Sequence, residues 1–191
     1  MKVNFRRGCQ TDLEQVYELH TKCFSSSDHW YKSGIKHYLD KSIIIEITNN
    51  NSTKKIIGVL LQGIITACNQ KIVVESVEQS FLSNSNNGYK EDIFDPVTPN
   101  GKLFLLNNFH LKELYGIVMI CVDEEFRCKG LAKKLIEKHW KDNPNKVLCL
   151  NTRKSNIGAF MLYKSLGYEH IAYIKNKYFL PTEDSIFMIK E

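Results

Sequence analysis

Apolar positions change their period several times along the chain, and each change predicts an element. Leu13, Val16, Tyr17, His20, Cys23 and Phe24 recur at spacings of three and four. That spacing predicts a helix with one packed face and with Asp12, Glu18 and Lys22 in water. A short strand over residues 3–6 precedes it, and the Thr-x-x-Glu spacing of Thr11 and Glu14 predicts a capping box at its start. Ser25, Ser26, Ser27 and Asp28 interrupt the pattern and predict the cap of a second helix carrying Trp30, Tyr31, Ile35, Tyr38 and Leu39. Two β-rich runs, 42–48 and 55–66, flank a polar turn at 49–53 and read as a hairpin.

From about 68 to 112 the periodicity fades. Ser83 to Gly88 is a low-complexity run of Ser, Asn and Gly, and Asp95 to Gly101 is rich in turn formers, so the stretch reads as a long, partly disordered insertion, either surface decoration or part of a substrate-facing lid. Residues 114–122 are then almost continuously apolar, as in a central strand covered on both faces. A turn at 123–126 leads into a helix at 131–140, where Leu131, Leu135 and His139 lie beside Ala132, Ile136 and Trp140. A buried strand at 147–152, a helix at 156–166 stopped by Gly167, and strands at 171–178 and 185–189 around Pro181 complete the pattern. The class is α/β (α+β), a mostly antiparallel sheet flanked by helices.

The 191 residues, 43% hydrophobic, suit a single domain spanning 1–191. A formal charge of +5, spread along the chain, favours acidic ligands mildly and does not call for nucleic acid. The six cysteines form no CxxC pair and the apolar segments need no stapling, so reduced thiols and no metal site are expected. No signal core or membrane-length apolar run occurs, and the expectation is a soluble, cytoplasmic protein without a membrane anchor.

Candidate chemistry concentrates in two stretches. Arg127, Cys128, Lys129, Gly130, Leu131 and Ala132 join the apolar strand to a helix whose first-turn N–H groups lack carbonyl partners. A pyrophosphate fits such a start: Gly130 lets the backbone approach phosphate oxygens, Ala132 keeps the next approach clear, and Arg127, Lys129 and Lys133 add charge. The alternative is an ordinary basic helix start. The second stretch, from Asn156 to Tyr168, gives a polar cap, a helix and Tyr163 one turn before its end. Tyr163 reads either as a buried core residue or as the acid that protonates a leaving thiolate.

Together, these stretches resemble the GNAT (GCN5-related N-acetyltransferase) superfamily. Its acetyl-CoA loop, Arg/Gln-x-x-Gly-x-Gly/Ala, is matched by Arg127, Gly130 and Ala132, and its following helix by Asn156, Ala159, Tyr163, Gly167 and Tyr168. The resemblance implies a splayed sheet, with pantetheine between 114–122 and 147–152 pairing with backbone near Ile120 and Val122. Asn156 would touch the pantetheine arm and Tyr163 the sulfur, and an amine would attack the thioester directly.

A narrower resemblance is to the N-alpha-acetyltransferases of protein N-termini. The stretch from Phe24 to Tyr31, with Trp30, is similar to their loop between the first two helices, and Ile174 to Tyr178 to their last hairpin. It implies acetyl-CoA and a protein or peptide α-amine as substrates, with an auxiliary subunit as a further partner, and Phe24, Trp30, Tyr31 and Tyr178 at the acceptor. The chain departs from that branch where a Tyr and a His order a water that takes the amine proton: those positions hold Gly116 and Asn151. Asn151 accepts no proton at neutral pH, which leaves Glu113 or Tyr115 through water, with His110 more distant. Two alternatives stay open: acetylation of a lysine or small-molecule amine, and an inactive CoA-binding module.

Overall fold

The computed structural model describes residues 2–25, 28, 30–65, 94–97, 99 and 114–191, with the side chains of 64 and 65 excepted. In chain order the strands are β1 (Lys2–Arg7), β2 (Ile43–Thr48), β3 (Lys54–Ile65), β4 (Phe94–Pro96), β5 (Leu114–Val122), β6 (Leu148–Arg153), β7 (Glu169–Phe179) and β8 (Thr182–Lys190). The α-helices are α1 (Leu13–Cys23), α2 (Lys32–Tyr38), α3 (Leu131–Asp142) and α4 (Ile157–Ser165). The chain forms two compact units, Met1–Gly63 with Ile117–Pro144, and Ile64–Gly116 with Asn145–Glu191. The expected α/β class is what is seen. No helix among the described residues is long and apolar enough to cross a membrane.

In the first unit β1 pairs antiparallel with β2, and β2 with β3. Val16 and Leu19 of α1, Ile35 of α2, Leu39, and Ile44, Ile56, Val59 and Leu61 of the strands pack with Met119 and Cys121 of β5 into one core. The apolar face predicted for α1 is present, extended by Leu19.

Two predicted caps are corrected. The chain enters α1 through a short 3-10 turn, Gln10–Asp12, and the capping box joins Cys9 to Asp12 rather than Thr11 to Glu14. The Cys9 N–H donates to Asp12 Oδ2 at 2.9 Å. Asp12 is buried, not in water, because the Arg6 guanidinium grips both its oxygens at 2.7 and 2.8 Å and reaches Glu46 at 2.9 Å. That hydrogen bonding outweighs desolvation and holds the Asp12 carboxyl below its usual range. At α2 the cap position is Tyr31, with no side-chain cap bond, while Ser25 and Asp28 close a small turn of their own upstream.

In the second unit β6 pairs with β8, β8 with β7 and β7 with β4, all antiparallel. Leu114, Cys149, Ile171, Ala172, Ile174, Phe187 and Ile189 form the core, with Phe94 only 1% exposed against the Phe187 ring. β4 falls inside the stretch read as an insertion, and Phe94, Asp95 and Pro96 pair with Ile174, Tyr173 and Ala172. Most of 68–112 lies outside the described residues.

Candidate active site

In the first unit Asp123 follows the end of β5, and its N–H donates to the Ile57 carbonyl at 2.8 Å. Burial alone would raise its carboxyl; Lys55 at 3.1 Å and the Glu125 N–H bring it below the usual range. A 3-10 turn, Glu124–Phe126, follows. Arg127 Nε then folds back to donate to the Val122 carbonyl at 3.1 Å, and Lys129 Nζ donates to the Glu125 carbonyl at 3.0 Å. Both cations are thereby fixed along the loop.

The loop reaches α3 through two left-handed residues, Cys128 at φ +59° and Gly130 at φ +72°. A Cβ on Gly130 would meet nothing within 4 Å, so its outer side is open. No side chain caps α3, and Lys134 N–H bonds back to the Gly130 carbonyl at 3.1 Å. The N–H groups of Leu131, Ala132 and Lys133 therefore have no carbonyl within the helix, at its positive end. Leu131 is buried and anchors the helix, while Lys129 and Lys133 are exposed. Of the two strand residues expected to face pantetheine, Ile120 is half-buried and Val122 buried. The Val122 carbonyl is already engaged by Arg127 and by the Cys23 thiol.

The proposed acceptor aromatics of this unit have distinct settings. Phe24 stacks at 4.8 Å on His20, whose Nε2 accepts the Trp30 N–H at 2.8 Å. Trp30 lies 6.1 Å from the Tyr38 ring, whereas Tyr31 is 86% exposed.

In the second unit Asn156 caps α4, its Oδ1 accepting the Ala159 N–H at 3.2 Å, which leaves the side-chain amide N–H groups to donate. The helix ends with Gly167 at φ +83°: Gly167 N–H bonds the Lys164 carbonyl at 3.0 Å and Tyr168 N–H the Tyr163 carbonyl at 3.1 Å. This closure sets Tyr168 against Tyr163, with ring centroids 5.9 Å apart. Tyr163 is 5% exposed, and burial, reinforced by nearby Tyr178, pushes its hydroxyl well above its ordinary pKa. It stays protonated at neutral pH, as a proton donor must.

Tyr178 is aimed by an irregularity in β7. Between the pairs Ile174–Ser185 and Tyr178–Glu183 the strand carries extra residues, with Asn176 at φ +50°. The Arg153 guanidinium lies 4.1 Å from the Tyr178 ring and 3.2 Å from Glu183, which also accepts from Ser155. Pattern reading missed Arg153, Ser155 and Glu183.

Asn151 Oδ1 accepts the Ser185 hydroxyl at 3.3 Å, a neutral pairing. Of the proton-acceptor candidates, Tyr115 is nearly buried, with the Lys146 ammonium 4.5 Å from its ring centroid. Glu113 and His110 lie outside the described residues.

The Acetyltransferase (GNAT) domain family matches residues 100–170. The [ribosomal protein bS18]-alanine N-acetyltransferase of Escherichia coli K12 is 34% identical over 120 residues, 58% of this chain and 77% of the relative. The chain belongs to the GNAT acetyltransferase family. Among solved GNAT folds it is similar to Arabidopsis thaliana NAA60 in complex with acetyl-CoA, with a TM-score of 0.69 at 18% identity over 99% of both chains. It also resembles the Escherichia coli ribosomal-protein-S18-alanine N-acetyltransferase, with a TM-score of 0.62 at 16% identity over 98% of this chain and 92% of that one. The protein is an N-acetyltransferase with acetyl-CoA as co-substrate. Its own residues suit that ligand: an open left-handed glycine, an uncapped helix start and fixed cations supply what a pyrophosphate requires.

Proposed function

We propose that this GNAT enzyme acetylates the N-terminal α-amino group of a protein or peptide. The observation carrying the reading is the likeness to the bS18-alanine N-acetyltransferase, of which the chain covers 77%. Alanine has no side-chain amine, so its N-acetylation is α-amino chemistry.

In this reading the loop from Arg127 to Lys133 holds the pyrophosphate and the Asn156 amide donates to the pantetheine arm. The neutral amine attacks the thioester carbonyl, the C–N bond forms, the C–S bond breaks, and Tyr163 gives its proton to the departing thiolate. Asn151 takes no proton, so the ammonium proton passes to Tyr115 or Glu113 through water. Comparing pH–rate profiles of Tyr115→Phe and Glu113→Gln separates the two, because only loss of the acceptor removes the lower inflection.

The competing reading is acetylation of a small amine. Thiol release from acetyl-CoA, measured across a library of peptide N-termini and a set of polyamines and aminoglycosides, decides between them. Turnover with peptides supports α-amino acetylation. Turnover confined to small amines refutes it, and tight acetyl-CoA binding without any release marks an inactive binding module.

A further inference from the structure

Arg153 ends β6, Glu183 lies near the start of β8 and Tyr178 near the end of β7, and β8 runs between the other two strands. The register pairs Arg153 with Ser185 and Tyr178 with Glu183. Residues two apart on a strand share a face, so these four side chains stand on one side of the sheet, and Asn151 Oδ1 continues the row by accepting from Ser185 at 3.3 Å. The Arg153 guanidinium reaches across β8 on that face. It lies 4.1 Å from the Tyr178 ring centroid, donates to Glu183 Oε2 at 3.2 Å, and turns Nη1 and Nη2 to the Pro181 and Leu180 carbonyls, each at 3.4 Å.

Glu183 anchors the guanidinium from the other side. It accepts the Ser155 hydroxyl at 3.0 Å and the Ser155 N–H as well. Burial alone would raise its carboxyl, and the Ser155 bonds, with Arg153, hold it below the usual range. The side chains of Arg153 and Glu183 are only 16% and 14% exposed, so salt screens the pair less than it would at an open surface. Tyr178 itself follows the irregular part of β7, where the extra residues around Asn176 interrupt regular pairing with β8. The resumed ladder sets the strand, and the guanidinium against the ring sets the side chain.

We propose that Arg153, anchored by Glu183, is a positioning residue that holds Tyr178 in place for the acceptor substrate. The inference rests on the reading of Tyr178 as an acceptor contact. Arg153 touches neither substrate and acts through the Tyr178 ring. A planar guanidinium suits this task, because it presents a face to an aromatic ring while its edge N–H groups serve a carboxylate and backbone carbonyls. The compact ammonium of a lysine cannot do both at once.

The test is a double-mutant cycle on the intact enzyme, with Arg153→Met, Tyr178→Ala and the two combined. It reads the KM and kcat for a peptide beginning with alanine, and the acetyl-CoA Kd by titration calorimetry. Arg153→Met should raise the peptide KM about fivefold, the worth of one cation–π contact, and leave the acetyl-CoA Kd unchanged. In the Tyr178→Ala background the same replacement should raise the peptide KM no further. An equal rise in both backgrounds overturns the proposal, because Arg153 would then act without the ring. An unchanged peptide KM overturns it too, as does acetyl-CoA binding that weakens in step with the peptide, the mark of a general strut. A parental peptide KM in Tyr178→Ala removes the acceptor contact and the proposal with it. Should Arg153→Met fail to fold, Glu183→Gln, which keeps the anchor's shape and removes its charge, takes its place in the cycle with the same outcomes. Turnover of small amines alone sinks the α-amino reading instead, and the cycle run on such an amine still decides whether Arg153 acts through Tyr178.

Discussion

Replacing Gly130 separates the two demands placed on it, a left-handed backbone and an empty outer side. Its φ of +72° disfavours alanine by about 1–2 kcal/mol, whereas asparagine visits that region readily. For a chain of this size the alanine variant should melt about 2–8 °C lower. Asparagine should melt close to the parent. Neither Cβ meets protein within 4 Å, so the fold itself has no steric objection. Bound phosphate, in contrast, would lose its close backbone approach in both variants. One charge-assisted hydrogen bond is worth about 1.5–3 kcal/mol, which corresponds to a rise in the acetyl-CoA Kd of roughly 10- to 100-fold. Scanning calorimetry gives the Tm and titration calorimetry the Kd. A Gly130→Asn protein that melts normally and binds acetyl-CoA as tightly as the parent refutes the cradle.

Other consequences are equally direct. Tyr163→Phe keeps the ring against Tyr168 but removes the hydroxyl proposed as proton donor, so kcat should fall about a hundredfold or more with little change in the acetyl-CoA KM, and equal rates would reduce Tyr163 to packing. Burial lowers His139 to about 4, so between pH 6.5 and 4 the unfolded chain binds a proton that the folded one does not. Stability should therefore fall by about 3 kcal/mol as pH drops through that window, and urea midpoints of His139→Gln should lack that slope. Phe94→Ala should destabilise the protein by about 3–5 kcal/mol, because the ring is buried against Phe187, and an unchanged denaturation midpoint would show that β4 contributes nothing.

What the chain disclosed in advance were features enforced by local geometry. Gly130 and Gly167 both occupy left-handed backbone at helix ends, where glycine leaves a visible mark in sequence, and the apolar faces of α1 and α3 follow the helical period. Features set by distant partners were hidden. Asp12 reads as a solvated acid until β1 places Arg6 over it, and that ion pair moved the cap from Thr11 to Cys9. β4 is too short and too close to prolines to show a strand period, and only its pairing with β7 reveals it. The Arg153 contact with Tyr178 depends on a β7 irregularity that no alternation pattern announces. The proposed donor half of the site is built from local motifs, whose glycines and helix starts show in the sequence, while the proposed acceptor half depends on tertiary placement.

The central claim is tested most directly by locating the transferred acetyl group. The enzyme is incubated with acetyl-CoA and a peptide bearing both a free N-terminal alanine and an internal lysine, and fragment-ion mass spectrometry assigns the modified nitrogen. Acetyl on the α-nitrogen, abolished when that terminus is blocked beforehand, is the predicted result. Acetyl on the lysine ε-nitrogen alone contradicts the account.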